Sequence, residues 1–322
     1  MSINFKKIIL DTVEMIIHHK YLLFFGLFAA FLTGGGGVRY QISSDEFMVN
    51  WQHLQSTGVL DFSIFSKIVN LAQADPLALA LQLVILLAVA ALAIFMFWLA
   101  IVSQGSLIYS TAKFGDKKEI SFDEALMAGK RHFWPVCFFR IAEKIIAMAL
   151  LSFILISWFS VLAASDQTGQ QLLYFFTSII VLAVVVVITI GIRYAISYQV
   201  LESLSFAESL QSGFSLLRRN FMVTVEAAAL ILLLTAIMAF VMLMVVAGIA
   251  IPFVFLLYIF YLLAFKAGLV FVMTAGIVTL VLLMAIIGGI FGAVTEIYWT
   301  LIFMRVAKDN PKSIIRSILG KK

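Results

Sequence analysis

The sequence predicts an all-α fold, a polytopic transmembrane helical bundle of about six spans. Three observations predict it: a composition of 63% hydrophobic and 12% charged residues, six apolar runs long enough to cross a bilayer, and Lys and Arg collected in the segments that would share one membrane face. A soluble domain is roughly 45–50% apolar and about 25% charged, and a water-soluble chain of 322 residues has too much surface to hide such an excess. Lipid is therefore the expected solvent. Thirty Phe and five Trp suit lipid-facing packing and interfacial belts.

Lys6 and Lys7 precede an apolar stretch, but Asp11, Glu14 and the His18-His19-Lys20 cluster interrupt it and no small-residue cleavage site follows, so it is read as retained rather than as a signal peptide. Ile8, Ile9, Val13, Met15, Ile16 and Ile17 fall largely on one side at helical spacing. That pattern predicts an amphipathic helix lying in the interface before the first span.

A crossing needs about 20 mainly apolar residues. Six stretches qualify, all within one transmembrane domain over 1–322: Tyr21–Val38, Leu77–Tyr109, Phe133–Ala164, Leu172–Val200, Phe221–Ile251 and Ala267–Met304. Several exceed the hydrocarbon thickness and must tilt, kink or protrude. In the third, Ile145–Ala164 alone suffices, which makes Phe133–Lys144 a cytoplasmic extension bent near Pro135. Segment 39–76 lies outside the cytoplasm, with Phe62, Phe65, Ile68, Val69 and Ala72 at helical spacing on an apolar face.

Sixteen of the 22 Lys and Arg lie in 1–20, 110–132, 202–220 and 305–322. The positive-inside rule then puts both termini in the cytoplasm of a cell (inner) membrane protein. A seventh crossing by Pro252–Phe265 would carry the basic tail outside, so that piece is read as an interfacial or re-entrant helix on the outer face.

Ser121-Phe-Asp-Glu124-Ala-Leu126-Met-Ala-Gly129 and Ser205-Phe-Ala-Glu208-Ser-Leu210-Gln-Ser-Gly213 share the pattern S-F-x-E-[A/S]-L-x-x-G, 84 residues apart. Ser with Glu three positions on is a capping box, so Ser121 with Glu124 and Ser205 with Glu208 are expected to start interfacial helices on the cytoplasmic face. Lys130-Arg131-His132-Phe133 and Arg218-Arg219-Asn220-Phe221 follow them as basic-aromatic steps, each leading into a span. The recurrence implies repeated helical hairpins.

These helices, with Tyr21-Leu-Leu-Phe-Phe-Gly26-Leu-Phe28 opening the first span, resemble uncharacterised bacterial six-helix integral membrane proteins, similar to the membrane domain appended to some glycerophosphodiester phosphodiesterases. The resemblance implies the helical bundle. It carries no phosphodiesterase activity, because no hydrolase domain is present.

Charged side chains at membrane depth cost at least ~2.5–3.5 kcal/mol on insertion scales, so they are the default functional candidates. Arg193, Glu226, Glu296, Arg140 and Glu143 form the candidate intramembrane polar network, with Glu226 the expected buried carboxylate and Arg193 its partner or that of Glu296. Arg140, Glu143 and Lys144 are discounted if they sit on the extension, Lys266 by its place at the outer boundary, and Arg193 and Glu296 by snorkelling reach of the cytoplasmic interface. Two readings stand: a lock between helices, or a polar pathway. Gly288 and Gly292 mark a small-residue packing face beside Gly289, and Gly34–Gly37 an exit from the first span.

No catalytic constellation is present, and no phosphate-binding loop. The lone Cys137 is expected to be an inert small hydrophobe. The histidines His18, His19, His53 and His132 lack metal spacing. The expected role is non-enzymatic: a multi-pass, lipid-interacting or accessory scaffold protein without metal or cofactor. Its partner is the bilayer, anionic head groups at the cytoplasmic face above all, contacted by the basic-apolar tail after Lys308, and not nucleic acid. The alternative is a transporter or permease for a small or lipid-like solute.

Overall fold

The computed structural model describes residues 5–33, 69, 73–115, 120–163 and 168–309. The helices are α1 (Phe5–His18), α2 (Tyr21–Thr33), α3 (Pro76–Gly115), α4 (Phe122–Arg131), α5 (Phe133–Ala163), α6 (Thr168–Glu202), α7 (Phe206–Arg219), α8 (Phe221–Leu262) and α9 (Lys266–Asp309). No strand occurs among the described residues. Among the described residues, four stretches are long and apolar enough to cross a membrane, Pro76–Phe114, Leu172–Glu202, Phe221–Leu262 and Lys266–Lys308, and α1 with α2 makes a fifth if that pair, bent by 114°, is one broken span. These helices mark a membrane-embedded protein. The apolar run of α5 is interrupted by Arg140, Glu143 and Lys144.

The chain divides into two compact units, residues 36–99 and residues 1–35 with 100–322. In the first, Asp75 accepts from the Ala78 amide at 2.9 Å, which satisfies a free donor at the start of α3. The apolar side chains that follow, from Leu77 to Phe97, are mostly exposed, as lipid-facing residues are. The outer segment 39–76 otherwise lies outside the described residues, as do Gly34–Gly37 and the tail beyond Asp309.

The second unit is built around the last third of α9. Glu296, Ile297, Tyr298, Thr300, Ile302, Phe303 and Val306 are all buried there, so this stretch is covered on every side, while the preceding apolar part of α9 is largely exposed. α1, α2, α6 and α8 pack against α9. The Tyr298 hydroxyl donates to the Ala227 carbonyl of α8 at 3.1 Å, and the hydroxyls of Tyr194 on α6 and Thr224 on α8 lie 3.1 Å apart.

α1 buries Phe5, Ile8, Thr12 and Ile16 and ties Asp11 to Arg305 of α9 at 3.1 Å. Its apolar face is thus split. The expected interfacial stripe of Ile8, Ile9, Val13, Met15, Ile16 and Ile17 gives way to a protein-facing set, and Leu10, Val13 and Ile17 stay exposed.

Three expectations are corrected. Pro252–Phe265 is neither a separate crossing nor an interfacial helix, because α8 runs unbroken through Pro252 to Leu262. It then turns directly into α9: the Phe265 amide bonds the Phe260 carbonyl and the Ala264 amide bonds that of Tyr261, both at 3.1 Å. Ala264 at φ 50° and the Phe260–Phe265 ring contact at 5.7 Å complete a Schellman turn. Phe133–Lys144 is not set off by a bend at Pro135 either, because the helix is continuous from Phe133. It belongs to α5, with Val136, Cys137, Phe139, Arg140 and Glu143 buried, and Pro135 falls in the first turn, where a missing N–H costs nothing. Finally, the small-residue face of α9 is Gly289, Gly292 and Ala293 against Gly26 of α2, whereas a Cβ on Gly288 would meet nothing within 4 Å.

Two backbones therefore touch at Gly26 and Gly292. Gly26→Leu should destabilise by about 1–3 kcal/mol through overpacking, and Gly288→Leu should stay within about 0.5 kcal/mol of the parent. Unfolding by sodium dodecyl sulfate in mixed micelles measures both.

Candidate functional site

Four long helices place charged or amide side chains together in the interior of the second unit. α3 contributes Gln104 from the quartet Ser103-Gln104-Gly105-Ser106, α5 contributes Arg140 and Glu143, α6 contributes Arg193, and α9 contributes Glu296. Arg140 Nε donates to Gln104 Oε1 at 2.8 Å. Arg140 also pairs with Glu143, one turn along its own helix. The Gln104 amide nitrogen donates to Glu296 Oε2 at 3.4 Å, Arg193 donates to Glu296 Oε1 at 3.3 Å, and Arg140 Nη2 stands 3.6 Å from the same oxygen. The Arg193 guanidinium lies over the Trp299 ring, 5.8 Å from its centroid.

Glu296 is therefore held by side chains of three other helices. Two guanidinium and two carboxylate groups balance, which is the condition under which buried charges are tolerated. Arg140 Nη2, Ser103 Oγ and Thr295 Oγ1 are buried without a hydrogen-bond partner, so hydrogen-bonding capacity remains.

Of the candidate residues, the structure brings together Arg193, Glu296, Arg140 and Glu143. Glu226 is not the buried carboxylate: it is only half-buried on α8, while Glu143 and Glu296 are 5% and 3% exposed. Arg193 and Glu296 face each other inside the protein. Lys144 and Lys266 are exposed. Gln104 escaped the sequence reading, although a polar quartet inside an apolar helix was its visible signal.

The two S-F-x-E helices cross the long helices beside this cluster. Gly129 of α4 sits where a Cβ would strike the Val102 carbonyl and Ser106 of α3, and Gly213 of α7 where it would strike Gly191 and Ala195 of α6. Gly105 and Gly191 thus touch the short helices next to Gln104 and Arg193. Ser121 Oγ accepts from the Glu124 amide at 3.3 Å. Ser205 Oγ accepts from the Glu208 amide at 3.4 Å, and the Ser205 amide donates back to Glu208 at 3.0 Å, a complete capping box. The Ser205 bonds hold the Glu208 carboxyl below its usual range. At the end of α4, partial burial and then the Arg131 charge push His132 below its usual range.

The described residues of this unit form a basin and a groove. A basin of about 960 Å³ has Lys7, Asp11, Glu14 and His18 of α1 facing Glu202, Arg305 and Lys308. A groove of about 580 Å³ runs along α5 and is almost wholly apolar. No group of three or more His, Cys, Asp or Glu suited to a metal occurs among the described residues. No family model, no curated protein and no solved structure matches the chain.

Removing the Glu296 charge leaves Arg193 without its carboxylate partner and Arg140 with Glu143 alone. Glu296→Gln should cost about 3–5 kcal/mol, and Glu226→Gln under about 1 kcal/mol, in the same mixed-micelle unfolding experiment.

Proposed function

We propose that the protein is a non-enzymatic, multi-pass protein of the cell (inner) membrane, with six spans formed by α1–α2, α3, α5, α6, α8 and α9 and with both termini cytoplasmic. Its role is to present a lipid-contacting surface at the cytoplasmic face. The observation that carries this reading is the ionic cluster, a closed and charge-balanced lock placed near one end of the long helices. From Lys266, at the turn between α8 and α9, to Glu296 is about 45 Å of helix at 1.5 Å per residue, close to the ~40–45 Å of a bilayer with its head groups. With the turn at one surface, the lock lies at the other and not at the midplane, where transport sites are built.

The basic segments support the orientation. Lys130-Arg131 and Arg218-Arg219 end α4 and α7, beside the lock, and α4 and α7 act as a repeated device, a capped helix laying a glycine on the preceding span.

Transport of a small or lipid-like solute is a second reading. It is favoured by Arg140 Nη2, Ser103 Oγ and Thr295 Oγ1, which are buried without a hydrogen-bond partner and offer hydrogen bonds to water or a polar solute.

Single cysteines at Ser56, Lys117, Ser212 and Lys321, in a Cys137→Ser background, test the topology with a membrane-impermeant thiol reagent on intact cells. Labelling at position 56 alone is the expected result, and labelling at 321 would overturn the orientation. Solute flux in proteoliposomes that Glu226→Gln abolishes in a folded protein would move the assignment to a transporter.

A further inference from the structure

Along α3 the largely apolar run from Leu77 to Val102 gives way to Ser103, Ser106 and Ser110, spaced three and four residues apart on one face of the helix. All three are fully buried. A serine or threonine inside a long helix can donate to the carbonyl one turn back, and several hydroxyls of this protein do so: Ser106 to Val102 at 2.9 Å, Thr111 to Leu107 at 2.7 Å and Thr300 to Glu296 at 2.8 Å. Ser103 and Ser110 do not. Their hydroxyls are buried with no hydrogen-bond partner among the described residues.

A second helix brings another such hydroxyl to the same face. Tyr21, which opens α2, has its hydroxyl near Ser110, yet both hydroxyls are left without a hydrogen bond, whereas those of Tyr194 and Tyr298 are bonded. α4 covers the seam between the two helices. Its Phe122 stacks on Phe25 of α2 with ring centroids 5.1 Å apart, and its Gly129 lies against Ser106 without room for a Cβ. Glu124, exposed in the first turn of α4, acts by its charge on the Tyr21 hydroxyl, and Tyr21 is itself partly exposed. This end of the seam therefore lies at the protein surface.

Buried polar groups without a partner are rare, and an internal water commonly supplies the missing bond. Side chains one turn apart on a helix lie about 5–6 Å apart, the span of two hydrogen bonds of about 2.8 Å and so of one water. We propose that a file of bound water occupies the seam between α2, α3 and α4, one molecule between Ser103 and Ser106, one between Ser106 and Ser110, and one between Ser110 and Tyr21. Each water has two hydroxyls as partners, enough to hold an internal water, and each orphaned hydroxyl gains the bond it lacks. Ser103 neighbours Gln104, so the file leads from the surface at Tyr21 and Glu124 to the edge of the ionic lock. Such a file requires neither the lipid-contacting role nor the transport role given above.

The test is water-edited solid-state NMR of the full chain, labelled with isotopic serine and reconstituted in bilayers. Ser103 and Ser110 are assigned by the peaks lost in Ser103→Ala and Ser110→Ala, changes that suit a helix. Magnetisation should pass from water to Ser103 and Ser110 about as fast as to the exposed Ser205, and faster than to Ser209, which is fully buried and bonded to Gln199 at 3.1 Å. Transfer to Ser103 or Ser110 no faster than to Ser209 overturns the proposal. The sign of a stability change is an independent check. With water bridging the serines, Ser103→Ala and Ser110→Ala each lower the midpoint of unfolding by sodium dodecyl sulfate in mixed micelles, because a hydrogen-bonded group is lost. A midpoint unchanged or raised by either variant means that a dry, unpaired hydroxyl was removed, and overturns the proposal as well.

Discussion

The carboxylate of Glu296 is the constraint on which the second unit is organised. An isolated carboxylate buried in protein is strongly disfavoured, so α9 can bury its last third only where other elements bring compensating groups. Arg193, Gln104 and Arg140 supply them from α6, α3 and α5, and Glu143 takes up the remaining charge on Arg140. Each helix is thereby fixed in rotation and height relative to α9. The glycine crossings follow from that height. Gly105 neighbours Gln104 and Gly191 lies two residues from Arg193, so α4 and α7 pack at the level the lock sets.

Specificity of this kind is needed because the rest of the chain supplies little. In lipid the hydrophobic effect does not drive helices together, and association depends on close packing and polar contacts. The stems of α8 and α9 are nearly uniform in hydropathy on all sides, which suits lipid and defines no register. Contacts that define one are concentrated at the lock, at Gly26 against Gly292, and at the Tyr298 and Tyr194 hydroxyls that hold α8. The apolar groove of α5 lies just outside that region, on the face of the helix opposite Arg140 and Glu143.

The helical character of the chain was legible from composition and run length, and the starts of α4 and α7 were legible from Ser121 and Ser205, because capping is a local interaction between residues three apart. The ends of the apolar helices were not. Hydropathy does not fall at Ile251, and Pro252 in the middle of α8 reads as a break, yet an apolar helix absorbs one missing hydrogen bond when nothing competes for the freed carbonyl. The pairing of Glu296 was equally hidden. Glu226 and Glu296 look alike in sequence, each a single acid in an apolar run, and only the tertiary placement of α9, which brings Glu296 to Gln104, Arg140 and Arg193, buries one and leaves the other half-buried. Gly288 and Gly289 differ by one position, about 100° of helix rotation, and the spacing alone favoured the wrong member of the pair.

A double-mutant cycle on Glu296→Gln and Arg193→Gln, read as unfolding free energy in mixed micelles, tests the lock most directly. Residues that share a buried charge network show coupling of about 0.5–3 kcal/mol. The account predicts a value in the upper half of that range, with the double variant more stable than the sum of the single losses allows. Additive losses would contradict it, and would mean that Glu296 and Arg193 are buried side by side without holding the helices together.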